Sequence, residues 1–246
     1  MGWTETQSRS FSARHEEEDT GDVEALLDTL EDFRSELAER FEKLPDDIAL
    51  IVHDRPYQLT IAQPWLPLAR LFAAPAARRY LAGWYSRREI HVLSASALEE
   101  RASKVAGSRE ALRLTPLREY AHLVIGANNP GLPPPFSPAS FRRYLKWAWL
   151  AEGAASFFSW QIDHLRPAIA RRLREGARPS FPPSARDALL LGGTVFSLLD
   201  EIAGEPACVE LASTLHPGGA RPAIERAFGR PFLEVEHAWR ELLERP

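Results

Sequence analysis

Two short segments of this 246-residue chain carry side chains that could hydrolyse a bond with the help of a metal ion. The first contains Arg118, Glu119 and His122, and the second contains Glu152, thirty residues after His122. Zinc hydrolases place two imidazoles four residues apart on one helix face, with a glutamate after the first as general base. A third ligand, often a glutamate on a later helix, leaves the fourth position open for water. The spacing here keeps three of these four parts, because Arg118 stands where the first imidazole would be.

Arg118 is the departure from this pattern. A guanidinium stays protonated and offers only hydrogen-bond donors, so Arg118 cannot be a zinc ligand. Its position one turn from His122 would instead bring a positive charge to the place of the metal. We therefore predict that Arg118 forms a bidentate pair with Glu119 or Glu152 and substitutes for the charge of the metal.

The two segments resemble the gluzincin branch of zinc metallopeptidases, a zincin-type family. Residues 117–124 look like the active-site helix of that branch with a degenerate motif, Arg-Glu-x-x-His. The Trp-Leu-Ala-Glu-Gly string at residues 149–153 looks like its third-ligand helix. The resemblance implies that Glu119 would be the general base of an active relative. It also implies that His122 and Glu152 are the surviving metal ligands, at a site that Arg118 leaves vacant.

The same resemblance implies a substrate cleft. The strand that contains Ile90 and Val92 would correspond to the edge strand that such enzymes pair with an extended peptide. A peptide or a protein partner is therefore expected in the cleft if this architecture is retained.

A replacement ligand would restore the metal site. His164, twelve residues after Glu152, is the first candidate, and His91 on a predicted strand is the second. With such a ligand the protein would hold zinc as its cofactor and act as a hydrolase. Without one, no cofactor is expected.

Strand patterns come early in the chain and helix patterns come late, which predicts the α+β class. Apolar side chains recur at intervals of three and four over residues 22–43, which predicts an amphipathic helix. Short apolar runs predict strands at residues 48–53 and 89–94. Further helices are predicted over residues 114–126 and from Ser137 to about residue 160. The expected fold is zincin-like: a small mixed β-sheet with an N-terminal helix, followed by a mainly helical C-terminal half.

The predicted organisation has three parts. Residues 1–8 are expected to be a flexible lead-in, and residues 9–126 an N-terminal α+β part that ends in the active-site-like helix. Residues 127–246 are expected to be helical, and together the parts would form one zincin-like domain. The pair Gly192-Gly193 lies within a helical pattern and is expected to permit close helix packing.

Composition limits the classes of partner. The chain is 45% hydrophobic and 26% charged, which is typical of a globular protein with a buried core. It has no apolar run of 18 residues and no secretory signal, so we expect no membrane span and take the cytoplasm as the default location. The densest basic cluster, at residues 171–174, lacks interleaved aromatic residues. We predict that it is a solvated helix face and expect no nucleic-acid binding.

Three hypotheses of function follow from these patterns. The leading one is a catalytically impaired pseudopeptidase, because water without a bound Lewis acid is a poor nucleophile near neutral pH. The alternative is an active zinc-dependent peptidase or hydrolase with a substituted ligand such as His164. The second alternative is a helical binding module unrelated to zincins, with the aromatic-rich helix at residues 141–160 as its binding wall.

Overall fold

The computed structural model describes residues 2–132, 134–135, 137–176 and 178–245 and places one mixed sheet near the N-terminus. Within this part of the chain the sheet contains five strands: β1 (Trp3–Gln7), β2 (Phe11–Glu16), β3 (Ile48–His53), β4 (Gly83–Tyr85) and β5 (Glu89–Leu93). Their order is β1-β2-β3-β5-β4. The three central strands are parallel, and β1 and β4 run antiparallel to their neighbours.

Helices form most of the remaining chain. In the described residues they are α1 (Thr20–Ala38), α2 (Pro56–Ala62), α3 (Trp65–Phe72), α4 (Ala95–Arg101), α5 (Ser108–Arg113), α6 (Thr115–Asn128), α7 (Pro138–Lys146), α8 (Ala148–Phe158), α9 (Gln161–Arg174), α10 (Ala188–Ala203), α11 (Glu205–Ser213), α12 (Ala220–Phe228) and α13 (Phe232–Glu244). Short 3₁₀ turns lie at Glu17–Asp19 and Arg78–Tyr80. The predicted α+β class, with a small sheet followed by a mainly helical part, is confirmed. Of the helices described here, none has the length and apolarity needed to cross a membrane.

The apolar face predicted for the N-terminal helix is buried. Its buried residues are Val23, Leu27, Leu30, Phe33 and Leu37. The helix ends at Ala38 rather than at residue 43, and Phe41 is buried from the segment that follows. The periodic pattern therefore predicts which side chains enter the core better than it predicts where the helix ends.

The N-terminal lead-in is a strand, which corrects the prediction of a flexible segment at residues 1–8. β1 pairs with β2 in a register that places Trp3 opposite Glu16 and Gln7 opposite Ser12. No residue of β1 is fully buried, so the segment lacks the apolar alternation that would predict a strand. Pairing of its backbone with β2, rather than an apolar face, defines this polar edge strand. Met1 lies outside the described residues.

β5 is an internal strand, which corrects the edge-strand prediction for Ile90 and Val92. It pairs with β3 on one side and with β4 on the other. β4 is the edge strand at this end of the sheet. Because β4 has only three residues, no hydrophobic period could reveal it in the sequence.

The helix predicted from Ser137 to about residue 160 is two helices. Ser137 caps α7 as predicted, since its side chain accepts a hydrogen bond from the Ser140 backbone N–H. Trp147 then leaves the helical conformation, with φ of −112° and ψ of 18°. This break separates α7 from α8 and lets the hydroxyl of Tyr144 reach Glu152.

One arginine of the basic cluster at residues 171–174 is not solvated. Arg172 is buried and forms a bidentate pair with Asp187, with nitrogen–oxygen distances of 2.6 and 2.9 Å. Arg171 and Arg174 are exposed. The prediction of a solvated face is therefore wrong for Arg172, because its carboxylate partner is distant in sequence.

α8 and α10 pack closely through glycines, which confirms the expectation for the Gly192-Gly193 pair. A Cβ at Gly192 would lie 2.7 Å from the carbonyl oxygen of Trp149 and 2.9 Å from Cα of Gly153. A Cβ at Gly153 would lie 2.6 Å from the backbone of Gly192. The two helix backbones are therefore in direct contact, and this contact fixes the part of α8 that carries Glu152.

We expect Gly192→Ala to lower the free energy of unfolding by about 1–3 kcal/mol, because the added methyl group overlaps the backbone of α8. Chemical denaturation followed by circular dichroism measures this change. The matched control is Gly21→Ala on the exposed side of α1, where a Cβ would have no neighbour within 4 Å. That substitution should be neutral or stabilising by up to about 1 kcal/mol. Equal stability of the two variants would contradict the close contact.

Candidate functional site

Arg118, Glu119, His122 and Glu152 lie together in the interior of the protein. α6 carries the first three, and α8, which packs against α6, carries Glu152. Their exposed fractions are 1%, 1%, 3% and 4%, respectively. The structure thus brings together the four side chains that the sequence singled out, at a place that solvent hardly reaches. We refer to them as the buried ionic cluster.

α6 is buried on every side around this cluster. Each residue from Thr115 to Ile125 is buried, since the helix lies against β4, β5 and α8. A helix without a solvent-facing side must satisfy its polar groups within the protein. The charged residues of α6 therefore require partners from neighbouring elements.

The Arg118 guanidinium lies between two carboxylates. Its Nη2 donates a hydrogen bond to Oε1 of Glu119, and its Nη1 lies 3.8 Å from Oε2 of Glu152. The second contact is an ion pair, but it is too long for a hydrogen bond. The prediction of a bidentate pair with a single carboxylate is therefore wrong. The two carboxylates come from different helices and each presents one oxygen to the guanidinium, which bridges them.

Glu152 is surrounded by groups that stabilise its negative charge. Its Oε1 accepts a hydrogen bond of 2.6 Å from the Tyr144 hydroxyl and lies 3.4 Å from Nε2 of His122. Burial alone would raise the pKa of Glu152, but the interactions with His122, Arg118 and Tyr144 outweigh burial and hold this pKa at about 2. Glu152 is therefore a buried carboxylate anion at neutral pH.

Arg118 keeps its positive charge in this setting. Burial would lower the pKa of its guanidinium, whereas the nearby carboxylates of Glu119 and Glu152 raise the pKa above its ordinary value. The charge of the guanidinium and the charges of its neighbours stabilise each other, so the cluster has to be considered as one unit.

Two tyrosines that the sequence did not reveal complete the cluster. The ring of Tyr85 on β4 stacks on His122, with centroids 4.3 Å apart and planes 6° apart. Burial, followed by the charge of Glu152, raises the pKa values of Tyr85 and Tyr144 well above the ordinary value, so both phenols are neutral. Tyr85 belongs to a strand of three residues and Tyr144 precedes the helix break. No sequence pattern marks either position.

β4 covers the buried ionic cluster. A Cβ at Gly83 would lie 2.7 Å from Cγ2 of Thr115 and 2.9 Å from Cγ of Glu119, so only glycine permits this approach of β4 to α6. Trp84 and Tyr85 are buried together with Gly83. The three residues of β4 therefore form part of the buried wall of the cluster.

The residues present do not fit a catalytic zinc ion. A catalytic zinc ion binds three protein ligands and keeps a fourth position open for water, whereas His122 and Glu152 supply only two ligands. The guanidinium of Arg118, which offers only donors, lies against the carboxylates that a dication would attract. Among the described residues, three carboxylates that are close enough to share an ion are found away from this cluster, at Glu16, Glu18 and Asp54. Partly exposed acidic groups of this kind are common without an ion.

The candidate replacement ligands do not contact the cluster. His164 lies half-buried on α9, and within the described chain its ring makes no hydrogen bond or ion pair. His91 lies on β5, where its Nδ1 is 3.0 Å from Nε2 of His53. α8, which carries Glu152, ends at Phe158, and His164 lies on α9, a separate helix. His164 is therefore not on a continuation of the helix that carries Glu152.

Comparison with solved structures indicates a zincin-like fold. A mutant of an M1 zinc metallopeptidase from Deinococcus radiodurans matches with a TM-score of 0.50 and 12% identity, over 99% of this chain and 52% of that chain. A second structure, of the M1 zinc metallopeptidase from the same organism, has a TM-score of 0.49 and 14% identity, over 98% and 50% of the two chains. This chain therefore spans about half the length of the solved chains that it matches. No protein-family model and no curated protein matches the chain.

We expect Arg118→Met to lower the free energy of unfolding by about 3–5 kcal/mol, because two buried carboxylates lose their cation while most of the side-chain volume is kept. Urea denaturation measures the loss. The control is Arg113→Met, an exposed arginine, for which a change within about 0.5 kcal/mol is expected.

Adding Glu119→Gln to Arg118→Met separates the effect of charge from that of volume. The double variant should regain part of the lost stability, because one carboxylate without a cation becomes a neutral amide. If the two losses were simply additive, the proposed coupling between Arg118 and Glu119 would be refuted.

Proposed function

We propose that the protein is a zinc-peptidase-like protein without peptidase activity, in which the guanidinium of Arg118 stands in place of the metal. The observation that carries this proposal is the position of Arg118 between Glu119 and Glu152 in the interior. Glu119 and Glu152 are the residues to which the resemblance assigns the general base and the third ligand. The fold, which is similar to that of an M1 zinc metallopeptidase, supports the same proposal.

The chemistry of a guanidinium supports the loss of activity. Hydrolysis by a zinc enzyme depends on a Lewis acid that lowers the pKa of a bound water. A guanidinium donates hydrogen bonds but cannot coordinate the oxygen of water as a metal does. Oε1 of Glu119, the residue to which the resemblance assigns the general base, accepts a hydrogen bond from Arg118.

The buried surroundings of the buried ionic cluster also support the proposal that the protein lacks peptidase activity. Tyr85 stacks on His122, and all three residues of β4 are buried above the helix that carries the motif. A peptide could pair with β5, which carries Ile90 and Val92, only if β4 were displaced. We therefore propose that the cluster has a structural role and that a peptide or protein partner, of the kind expected from the sequence, does not bind there.

Arg118→His tests the proposal by rebuilding the pattern of two histidines four residues apart, with Glu152 as third ligand. We expect the variant to bind stoichiometric zinc after dialysis against zinc and removal of the excess, measured by inductively coupled plasma mass spectrometry. Arg118→Gln is the matched control, since it removes the guanidinium without supplying a ligand. Adding His122→Ala to Arg118→His should abolish the zinc binding.

The same measurement on the wild-type protein distinguishes the alternative hypothesis. Stoichiometric zinc in the wild type that is lost in His122→Ala, together with cleavage of unstructured peptides, would establish an active hydrolase with a substituted ligand. A well-folded Arg118→His variant that binds no zinc would overturn the assignment of Arg118 to the metal position.

A further inference from the structure

A cavity of about 480 Å³ lies between α3, the 3₁₀ turn at Arg78–Tyr80, α4 and α9. The charged side chains that line it are Arg70, Arg78, Arg79, Arg101 and Arg171 together with Glu100 and Glu175. Five arginines against two glutamates leave a formal excess of three positive charges in a chain whose net charge is −4. We call this cavity the arginine pocket. None of its lining residues belongs to the buried ionic cluster.

Four of the five arginines of the pocket donate hydrogen bonds to backbone carbonyls. Arg101 donates to the carbonyl oxygens of Arg79, at 2.5 Å, and of Arg78, at 2.9 Å. Arg79 donates in return to the carbonyl oxygen of Arg101. Arg70 donates to the carbonyl oxygen of Leu81 at 2.8 Å. These bonds orient the guanidinium groups without neutralising their charge.

Counter-charges are scarce around these groups. In the described part of the chain, Arg70, Arg78, Arg79 and Arg101 form no ion pair with a carboxylate, whereas Arg171 pairs with Glu175 at 2.6 Å. Nε of Arg70 is buried and has no hydrogen-bond partner among the described residues. Burial, followed by the like charges of Arg70 and Arg79, lowers the pKa of Arg101 to about 10. The positive charges are thus crowded and only partly compensated.

We propose that the arginine pocket binds a small organic phosphate through its phosphate groups. Guanidinium groups match the oxygens of phosphate in geometry and in charge, and an anion would relieve the repulsion among the arginines. The volume is in the range of pockets that enclose a small molecule and exceeds the need of a single inorganic ion. A concave pocket of this kind differs from the extended basic stripe that follows a nucleic-acid backbone.

Isothermal titration calorimetry with inorganic pyrophosphate as the probe tests the proposal. We expect saturable binding that is tighter than the binding of inorganic phosphate and that weakens as ionic strength is raised. Replacing both Arg78 and Arg79 by glutamine should weaken the binding about tenfold or more. Their side chains are exposed and their carbonyls, which hold Arg101, remain, so this variant should fold.

Two further variants separate recognition in the pocket from general effects of charge or folding. Arg226→Gln removes an exposed arginine that does not line the pocket, and it should leave the affinity for pyrophosphate unchanged. Glu175→Gln frees Arg171 from its carboxylate and should tighten binding about twofold to fivefold, a gain that a folding defect cannot produce. Absence of saturable binding by the wild type, or an equal loss in Arg226→Gln and the double variant, would overturn the proposal.

A phosphate can also be presented by a lipid headgroup, and co-sedimentation with phosphatidylcholine vesicles that contain phosphatidic acid distinguishes the two sources. Sedimentation with these vesicles that is lost in the double variant would assign the phosphate to a lipid. Pyrophosphate binding without sedimentation would assign it to a dissolved ligand.

Discussion

A cation buried between two carboxylates constrains the elements that surround it. Among the described residues Arg118 is one of the two largest side chains that are fully buried, and it carries a charge that water does not reach. Such a charge is tolerated only with nearby counter-charges and hydrogen bonds. Glu119 on α6 and Glu152 on α8 supply the counter-charges, and Tyr144 on α7 and Tyr85 on β4 complete the surroundings. The placement of four elements is thus coupled to one guanidinium.

The proposed role of Arg118 in place of a metal ion is physically consistent with the residues around it. The oxygens of Glu119 and Glu152 offer lone pairs, which can face either a metal ion or the N–H groups of a guanidinium. If Arg118 stands in place of a metal ion, as proposed, both carboxylates still face a cation. Under the same proposal, the open coordination position on which zinc hydrolysis depends would be absent.

The sequence predicts the cluster well because its spacing is local. Arg118, Glu119 and His122 lie within one and a half turns of a single helix, so their proximity follows from helix geometry. Glu152 could be added only through resemblance to a motif. Tyr85 and Tyr144 could not be predicted, because a strand of three residues and a helix break at Trp147 depend on tertiary contacts.

The two incorrect predictions at the ends of the sheet, for residues 1–8 and for β5 as an edge strand, have a related cause. β1 is polar and pairs through its backbone, so no side-chain pattern in the sequence predicts it. β4 is apolar but too short for a period, and its presence makes β5 an internal strand. By contrast, α1 and β3 were predictable since burial of their apolar residues dominates their energetics. Elements that depend on partners distant in sequence are the ones that the pattern misses.

The arginines of this protein differ in how their positive charge is compensated. Arg118 bridges two buried carboxylates, and Arg172 forms a bidentate pair with the buried Asp187. Both charges have buried carboxylate partners within the fold, and both guanidinium groups are shielded from solvent. Four of the five arginines of the arginine pocket are oriented by carbonyl groups and line an open cavity, and their charge is only partly compensated. Recognition of an anion requires charge that is ordered but not yet neutralised, and this condition is met at the arginine pocket rather than at the buried Arg118.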